Sequence, residues 1–486
     1  PLMITLERVT GTTSLAARVV SAGAAARLDG APVLVSFSQP VATTDAIDFF
    51  DAGQALSTDR IYWAAPGGAL VFVGVGVARA FTAAGPQRFA EVARAWSTLL
   101  ATLPGDSDAG AALPSAGPTL LGGFSFEPQG PATADWAGFP AGRMVLPRFL
   151  LTVTNGQAVL TTAVVVEPDS DPVAEAVQVE RDYARVLAIL ASLPASGMSP
   201  HRSLYGRGPS SLRVTDVRAA ADWQAAVAGV ARDIRAGSLE KVVLAREVQV
   251  EAGQVMDPAT TLRHLRRAYP DCYGFAIAQG GSCFVSATPE RLVSLADGKV
   301  QTTCLAGSSR RGQDAADDFK RGAALLASAK DREEHAVVAR VLIDALAAVC
   351  GDVQAPAMPG LLRLRNVQHL YTPIRGHLRN GTSLLELVAR LHPTPAVGGF
   401  PREAALARIR ACEGLDRGWY AGPVGWLDSH GAGEFAVALR SALLHGNTAR
   451  AFAGCGIMAD SDPAAEYAET EIKLRAVLAA LEEAAR

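Results

Sequence analysis

Apolar positions along this chain recur at two spacings, and each change of spacing marks a change of element. Residues 31–37 (APVLVSF) form a short apolar run that predicts a strand. Residues 61–77 carry apolar runs on either side of a Pro-Gly-Gly turn, which predicts a hairpin. Residues 89–103 (FAEVARAWSTLLATL) repeat with the period of a helix. After a polar small-residue loop at 106–118 comes LLGGFSF, 120–126, a strand whose glycines allow close backbone approach. Residues 145–155 and 157–166 alternate around Asn155-Gly156, a strong hairpin signal. Residues 177–193 read as an amphipathic helix.

Periodicity then stops. Residues 194–211 (PASGMSPHRSLYGRGPSS) are rich in Pro, Gly and Ser and predict a linker. It separates an N-terminal part, 1–213, from a second region, 214–486. The second region opens with a helix at 222–236 and the strand KVVLAREVQVE at 241–251, and helices and strands alternate to the end. No exact repeat is present, but both halves share a coarse order of strands and packed helices, so a pseudo-duplicated core is open. The final stretch, 453–474, predicts a glycine-rich turn and then a helix carrying Glu466, Glu469 and Glu471.

Composition narrows the function. The net charge of -3 over 486 residues, without a Lys/Arg block, gives no electrostatic case for nucleic acid. No uncharged apolar run approaches the roughly 20 residues that span a bilayer, and the N-terminus lacks a signal-peptide layout. Six cysteines without CxxC spacing suggest neither a disulfide framework nor a zinc knuckle. A soluble cytoplasmic enzyme of small molecules is expected. Gly74-Val-Gly76 lacks the third glycine of a dinucleotide loop, and Gly123-Phe-Ser125-Phe-Glu127 lacks the last glycine of a nucleophile elbow.

Candidate chemistry concentrates in the second half. Glu466 and Glu469, three apart, share a helix face, and so do Asp331 and Glu334 in KDREEH. Carboxylates that close need a cation between them, and an oxygen-only set favours Mg²⁺. The plain alternative is an acidic first turn. Lys241 opens an apolar strand, where it either snorkels to solvent or is held as a general base. Glu290 follows Pro289 and suits a helix N-terminus. Gly307 lies where a strand enters a glycine loop that offers N–H groups to an anion. His369 sits between apolar neighbours, the usual setting of a core histidine, and residues 391–401 (LHPTPAVGGFP) form a rigid turn around Ala396. Tyr420 lies in RGWYAGPVGW, and Arg440 inside the apolar strand EFAVALRS needs a carboxylate partner. Together these suit a Mg²⁺ bridge to one substrate carboxylate, an Arg/Tyr clamp on a second, and a Lys/Glu base–acid pair. The implied substrate is a small dicarboxylate.

In this order, these motifs resemble those of the chorismate-utilising enzymes: isochorismate synthases, salicylate synthases, and the chorismate-binding subunits of anthranilate and aminodeoxychorismate synthases. The resemblance is strongest from 214 to the C-terminus and extends more weakly through LLGGFSF and LPRFLL at 146–151. It implies an α+β chorismate-binding fold, two antiparallel sheets packed face to face with helices outside. Residues 1–213 would supply strands to a shared core, and the linker would be a surface excursion. It implies Glu334 and Glu469 as Mg²⁺ ligands, with Glu466 and Asp331 close by. Tyr420 and Arg440 would hold the enolpyruvyl carboxylate, and the Gly454–Gly456 backbone would lie against the ring carboxylate. Gly307, His369 and Lys473 complete the substrate-binding set. Lys241 matches the lysine that activates water in isochorismate and salicylate synthases, and Glu290 the acid, which must be protonated. Ala396 fits the isochorismate type, and RGWYAGPVGW the menaquinone-pathway members. No glutaminase partner is implied; a monomer or homodimer is. Salicylate synthase, a siderophore-pathway isochorismate synthase and a non-catalytic chorismate-binding subunit are the alternatives.

Overall fold

Asn155 and Gly156 both take positive φ, 51° and 74°, the backbone that turns a right-twisted strand pair back on itself. They join Gly142–Thr154 to Gln157–Val166 as antiparallel partners. The computed structural model describes residues 14–104, 116–194, 212–379 and 381–486, and its sheet is organised around the first of these strands. The C-terminal half of Gly142–Thr154 pairs with Gln157–Val166 and its N-terminal half with Thr119–Phe124. Leu70–Thr82 runs along the other edge.

Two layers spread from there. One continues from Leu70–Thr82 through Arg60–Ala64, Tyr273–Gln279, Ser282–Thr288, Ser441–His445 and Thr448–Ile457 to Lys241–Glu251. The other continues from Thr119–Phe124 through Pro423–Asp428, Gly433–Val437, Arg291–Ala296 and Lys299–Arg310 to Val367–His377. Every pairing named is antiparallel. The layers meet across an aromatic core, where the Trp426 ring lies 5.0 Å from Phe72 and 6.1 Å from Trp63. The expected packed sheets are therefore present, with one amendment. Hydrogen bonding passes without a break from layer to layer, so that among the described residues they form one 19-stranded sheet folded over. Arg60–Ala64 pairs with Tyr273–Gln279, and Thr119–Phe124 with Pro423–Asp428. Strands from before residue 195 are thus woven among strands from after 212.

The long helices form where sequence supplies their caps. Ser328 accepts from the Asp331 N–H and starts Ala329–Ala347. Asp462 accepts from the Ala465 N–H, with Pro463 at the first position, and starts Pro463–Ala484. Neither Leu15–Asp29, capped by Ser14 and Gly30, nor its low-contrast, alanine-rich pattern was foreseen from periodicity. Among the described residues no helix is long and apolar enough to cross a membrane. The linker expected at 194–211 lies outside the described residues from 195 onward, as does the loop at 106–118 through 115.

Four motif placements are corrected. Glu290 starts no helix; it bridges the strands Ser282–Thr288 and Arg291–Ala296. Gly307 is not in a loop but at a bulge within Lys299–Arg310, at φ 76°. Gly454 and Gly456 belong to the strand Thr448–Ile457, not to a turn. Arg440 is not inside a strand: it stands at φ 50° between Gly433–Val437 and Ser441–His445.

Candidate active site

Lys241 is the first residue of a strand whose next residues are buried on both faces, so its side chain follows the strand into the protein. It is 1% exposed and forms a 2.8 Å ion pair with Glu334. The snorkelling alternative is therefore excluded. Glu334 arrives from the Ala329–Ala347 helix, and the neighbouring His335 anchors that helix. His335 Nδ1–H donates to the Ala306 carbonyl at 3.1 Å, leaving Nε2 to accept from Thr372 Oγ1 at 2.8 Å. Across the pair runs Gly456, opposite Val243. A Cβ on Gly456 would lie 2.3 Å from Glu334 Oε1 and 2.7 Å from Lys241 Cε, so glycine there leaves the ion pair its place.

The Pro463–Ala484 helix brings the second acidic pair. Glu466 is buried and pairs with Lys330 at 3.3 Å, and Glu469 pairs with Lys473 at 2.7 Å. The Lys473 ammonium also donates to the Gly454 carbonyl at 2.9 Å. Burial, then the charge of Glu469, holds the Glu466 carboxyl above its ordinary range. Burial likewise raises Asp331, with Glu334 and Glu469 adding to it and Ser328 and Lys330 opposing. All four carboxylates line one cavity. Among the described residues no three His, Cys, Asp or Glu side chains already form a metal cage; each of these acids leans on a lysine or a serine. An all-oxygen cluster of this kind fits Mg²⁺, which takes one or two carboxylates and keeps several waters. Cys455 lines the same wall, and burial with the charges of Glu466 and Glu469 keeps its thiol protonated.

Glu290, 4% exposed, lines the same cavity. Its carbonyl accepts from Val437 N at 3.0 Å. Burial pushes its carboxyl up to about 8, and Lys241, Lys473 and Arg440 oppose this only in part. Arg440 occupies the left-handed region, a cost of about 1–3 kcal/mol for a residue with a Cβ, and so turns its guanidinium toward His369. Arg440 Nη2 donates to His369 Nε2 at 2.7 Å, which places the ring proton on Nδ1, 2.9 Å from Ser308 Oγ. Burial, then the Arg440 charge, holds His369 well below the ordinary histidine value and therefore neutral. The Tyr420 ring stacks on Phe452 at 5.2 Å, and burial raises its phenol.

One cavity gathers all of these groups. It is lined by Lys241, Glu290, Gly307, Asp331, Glu334, His369, Ala396, Tyr420, Arg440, Gly454, Gly456, Glu466, Glu469 and Lys473. Ser308, Lys330 and Arg417 line it too and were given no role from sequence. Arg417 opens the RGWY motif, and Glu413 four residues before it was the available signal; Ser308 and Lys330 carried none beyond their neighbours. Chemically the cavity offers an acidic cluster with a lysine paired to it, a guanidinium bonded to a neutral imidazole, a phenol, and a protonated carboxylic acid.

Three comparisons bear on this arrangement. Residues 21–482 match the family model described as chorismate binding enzyme. The chain is 39% identical over 450 residues to the salicylate biosynthesis isochorismate synthase of Pseudomonas aeruginosa, covering 93% of this chain and 90% of the relative. It is 38% identical to the isochorismate synthase MenF of Bacillus subtilis, covering 92% and 93%. Among solved structures it resembles MenF, the menaquinone-specific isochorismate synthase from Escherichia coli, with a TM-score of 0.74 at 27% identity over 92% of this chain and 95% of that one.

Proposed function

The chain belongs to the chorismate binding enzyme family, and from that premise we infer that it is an isochorismate synthase, converting chorismate to isochorismate. The MenF relatives favour a role in menaquinone formation, and the relative named for salicylate biosynthesis shares the isochorismate synthase name. The observation that carries the reading is Lys241 and Glu290 in one cavity, both buried, the acid held protonated near neutrality.

In the mechanism proposed, Tyr420 and Arg440 hold the enolpyruvyl carboxylate, and His369 orients Arg440 by accepting a hydrogen bond from its Nη2. The ring carboxylate lies along the Gly454–Gly456 backbone, with Lys473 and the Gly307 bulge closing the site. Glu334 and Glu469 would hold Mg²⁺, with Glu466 and Asp331 beside them. An ion held by these carboxylates would supply positive charge to a substrate carboxylate. Lys241, free of its proton and of Glu334, takes a proton from water as that water attacks C2. Both ring double bonds shift, C1=C2 to C1=C6 and C5=C6 to C4=C5, the C4–O bond breaks, and the proton of Glu290 goes to the departing oxygen. Ala396 leaves the turn wall small beside the ring.

The same reading assigns 1–213 as the part that supplies strands to the core and 214–486 as the chorismate-binding region. It includes action in the cytoplasm without a glutaminase subunit, as a monomer or homodimer. The test is chromatography of the products from purified protein, chorismate and Mg²⁺, repeated with EDTA and with ammonium. Isochorismate alone, lost with EDTA, is expected. Salicylate with free pyruvate, or an aminated product with ammonium, would replace the reading with a sibling activity.

A further inference from the structure

Two arginines line the cavity, and they are committed differently. Arg440 donates to His369 and keeps the rest of its fork toward the cavity. Arg417 uses four of the five guanidinium N–H groups on the chain itself. Nε and Nη2 grip both oxygens of Glu413 at 2.6 Å each, Nη1 donates to the Val397 carbonyl at 2.8 Å, and Nη2 to the Val243 carbonyl at 2.8 Å. Glu413 returns to the same strand, accepting from Ala245 N at 2.7 Å. Both side chains are almost wholly buried, at 4% and 2% exposure.

Val243 and Ala245 belong to the strand that Lys241 opens, and Val397 follows Ala396. Backbone pairing across this seam is short: Gly399 and Phe400 pair with Val242 and Lys241, Glu240 N donates to the Phe400 carbonyl at 2.9 Å, and Val243 N donates to the Gly398 carbonyl at 3.0 Å. The ion pair therefore laces together the strand bearing Lys241, the turn bearing Ala396 and the segment leading to Tyr420. An arginine that binds substrate carboxylate presents an open fork; this one has none left to present.

We propose that Glu413–Arg417 is a positioning pair for the reaction: it sets the gap between Lys241 and the Ala396 turn in which the attacking water stands. The proposal rests on the isochorismate synthase reading. A lysine at 417 keeps the charge but cannot bridge a carboxylate and two carbonyls at once.

The experiment is steady-state kinetics and thermal melting of wild type, Arg417→Lys and Glu413→Gln. Both variants are expected to fold and to keep KM for chorismate within about twofold. Their kcat is expected to fall about 100-fold, as a misplaced reacting group does. Full kcat in a folded Arg417→Lys overturns the proposal, because stability alone was then at stake. A raised KM with unchanged kcat also overturns it, by placing Arg417 on substrate. Should the single variants not fold, the apolar double variant E413L/R417M, the better tolerated way to lose a buried pair, decides by the same split. Loss of folding in all three makes the pair structural and overturns the proposal. The wild-type product, identified in the same runs, separates the two failures. A different chorismate product sinks the isochorismate reading while the split on that product still judges the pair.

Discussion

Buried charge is used differently in the two parts of this chain. Among the described residues up to 194, the buried charged groups are Arg60 and Arg88, and both turn to backbone carbonyls: Arg60 Nη1 to Phe50 at 2.8 Å, Arg88 Nη2 to Ser125 at 3.3 Å. Around them lie rings and aliphatic side chains, with Phe72 wedged between Trp63 and Trp426. After residue 212 the buried set includes Lys241, Glu290, Glu413, Arg417, Arg440 and Glu466, which face one another or the cavity. Desolvating a charge is unfavourable unless it is well paired, so the first arrangement is what a fold needs and the second goes beyond it. Stability and chemistry are thus separable in residues although their strands alternate within one sheet.

The sharpest way to test that separation is to remove a group from each side. Lys241→Ala should lower kcat by about 10²–10⁴-fold, the range of a lost general base, while chorismate binding measured by calorimetry stays within a few-fold. Near-normal turnover would take the base role away from Lys241. Phe72→Ala should do the reverse. The residue is fully buried, and truncation of such a ring removes about 3–5 kcal/mol of stability. Denaturant unfolding should show that loss, with kcat per folded molecule unchanged. A Phe72→Ala protein that is stable but inactive would erase the distinction.

The same contrast governs what could be read in advance. The hairpin at Asn155-Gly156, the strand from Lys241 and the helix bearing Glu466 and Glu469 were legible because turn chemistry and periodicity are local. Every residue marked as a site candidate faces one cavity, since their motifs supplied identities that the fold only had to bring together. What failed was backbone conformation at those same residues. Gly307 as a bulge depends on register against His369 and Leu370, Gly454 in mid-strand on register against Ala245, and Arg440 at positive φ sits against His369, partners far off in sequence. The part played by the Glu413–Arg417 pair was missed because what it ties together are backbone groups, the Val243 and Val397 carbonyls and the Ala245 N–H, which leave no mark in side-chain identity.

The narrowest test comes from Glu290, where function and stability pull in opposite directions. Its carboxyl stands at about 8 in the fold against an ordinary 4.5. The folded state therefore keeps a proton that the unfolded chain has already released. Its contribution is fully present below pH 4.5 and is lost as pH rises toward about 8, with a slope of at most about 1.4 kcal/mol per pH unit. Turnover should fall along the same alkaline limb, because only the protonated acid can serve the departing oxygen. Glu290→Gln has no proton to lose. It should be inactive, yet melt above wild type at pH 8, by an interval that closes as pH is lowered toward 4.5. A melting difference independent of pH would mean that the acid is not held protonated by burial. An active Glu290→Gln would mean that the proton comes from elsewhere. If both expectations hold, Glu290 is a residue whose burial the fold tolerates at a loss because the reaction needs its proton, which is the opposite of the relation that Phe72 has to the same sheet.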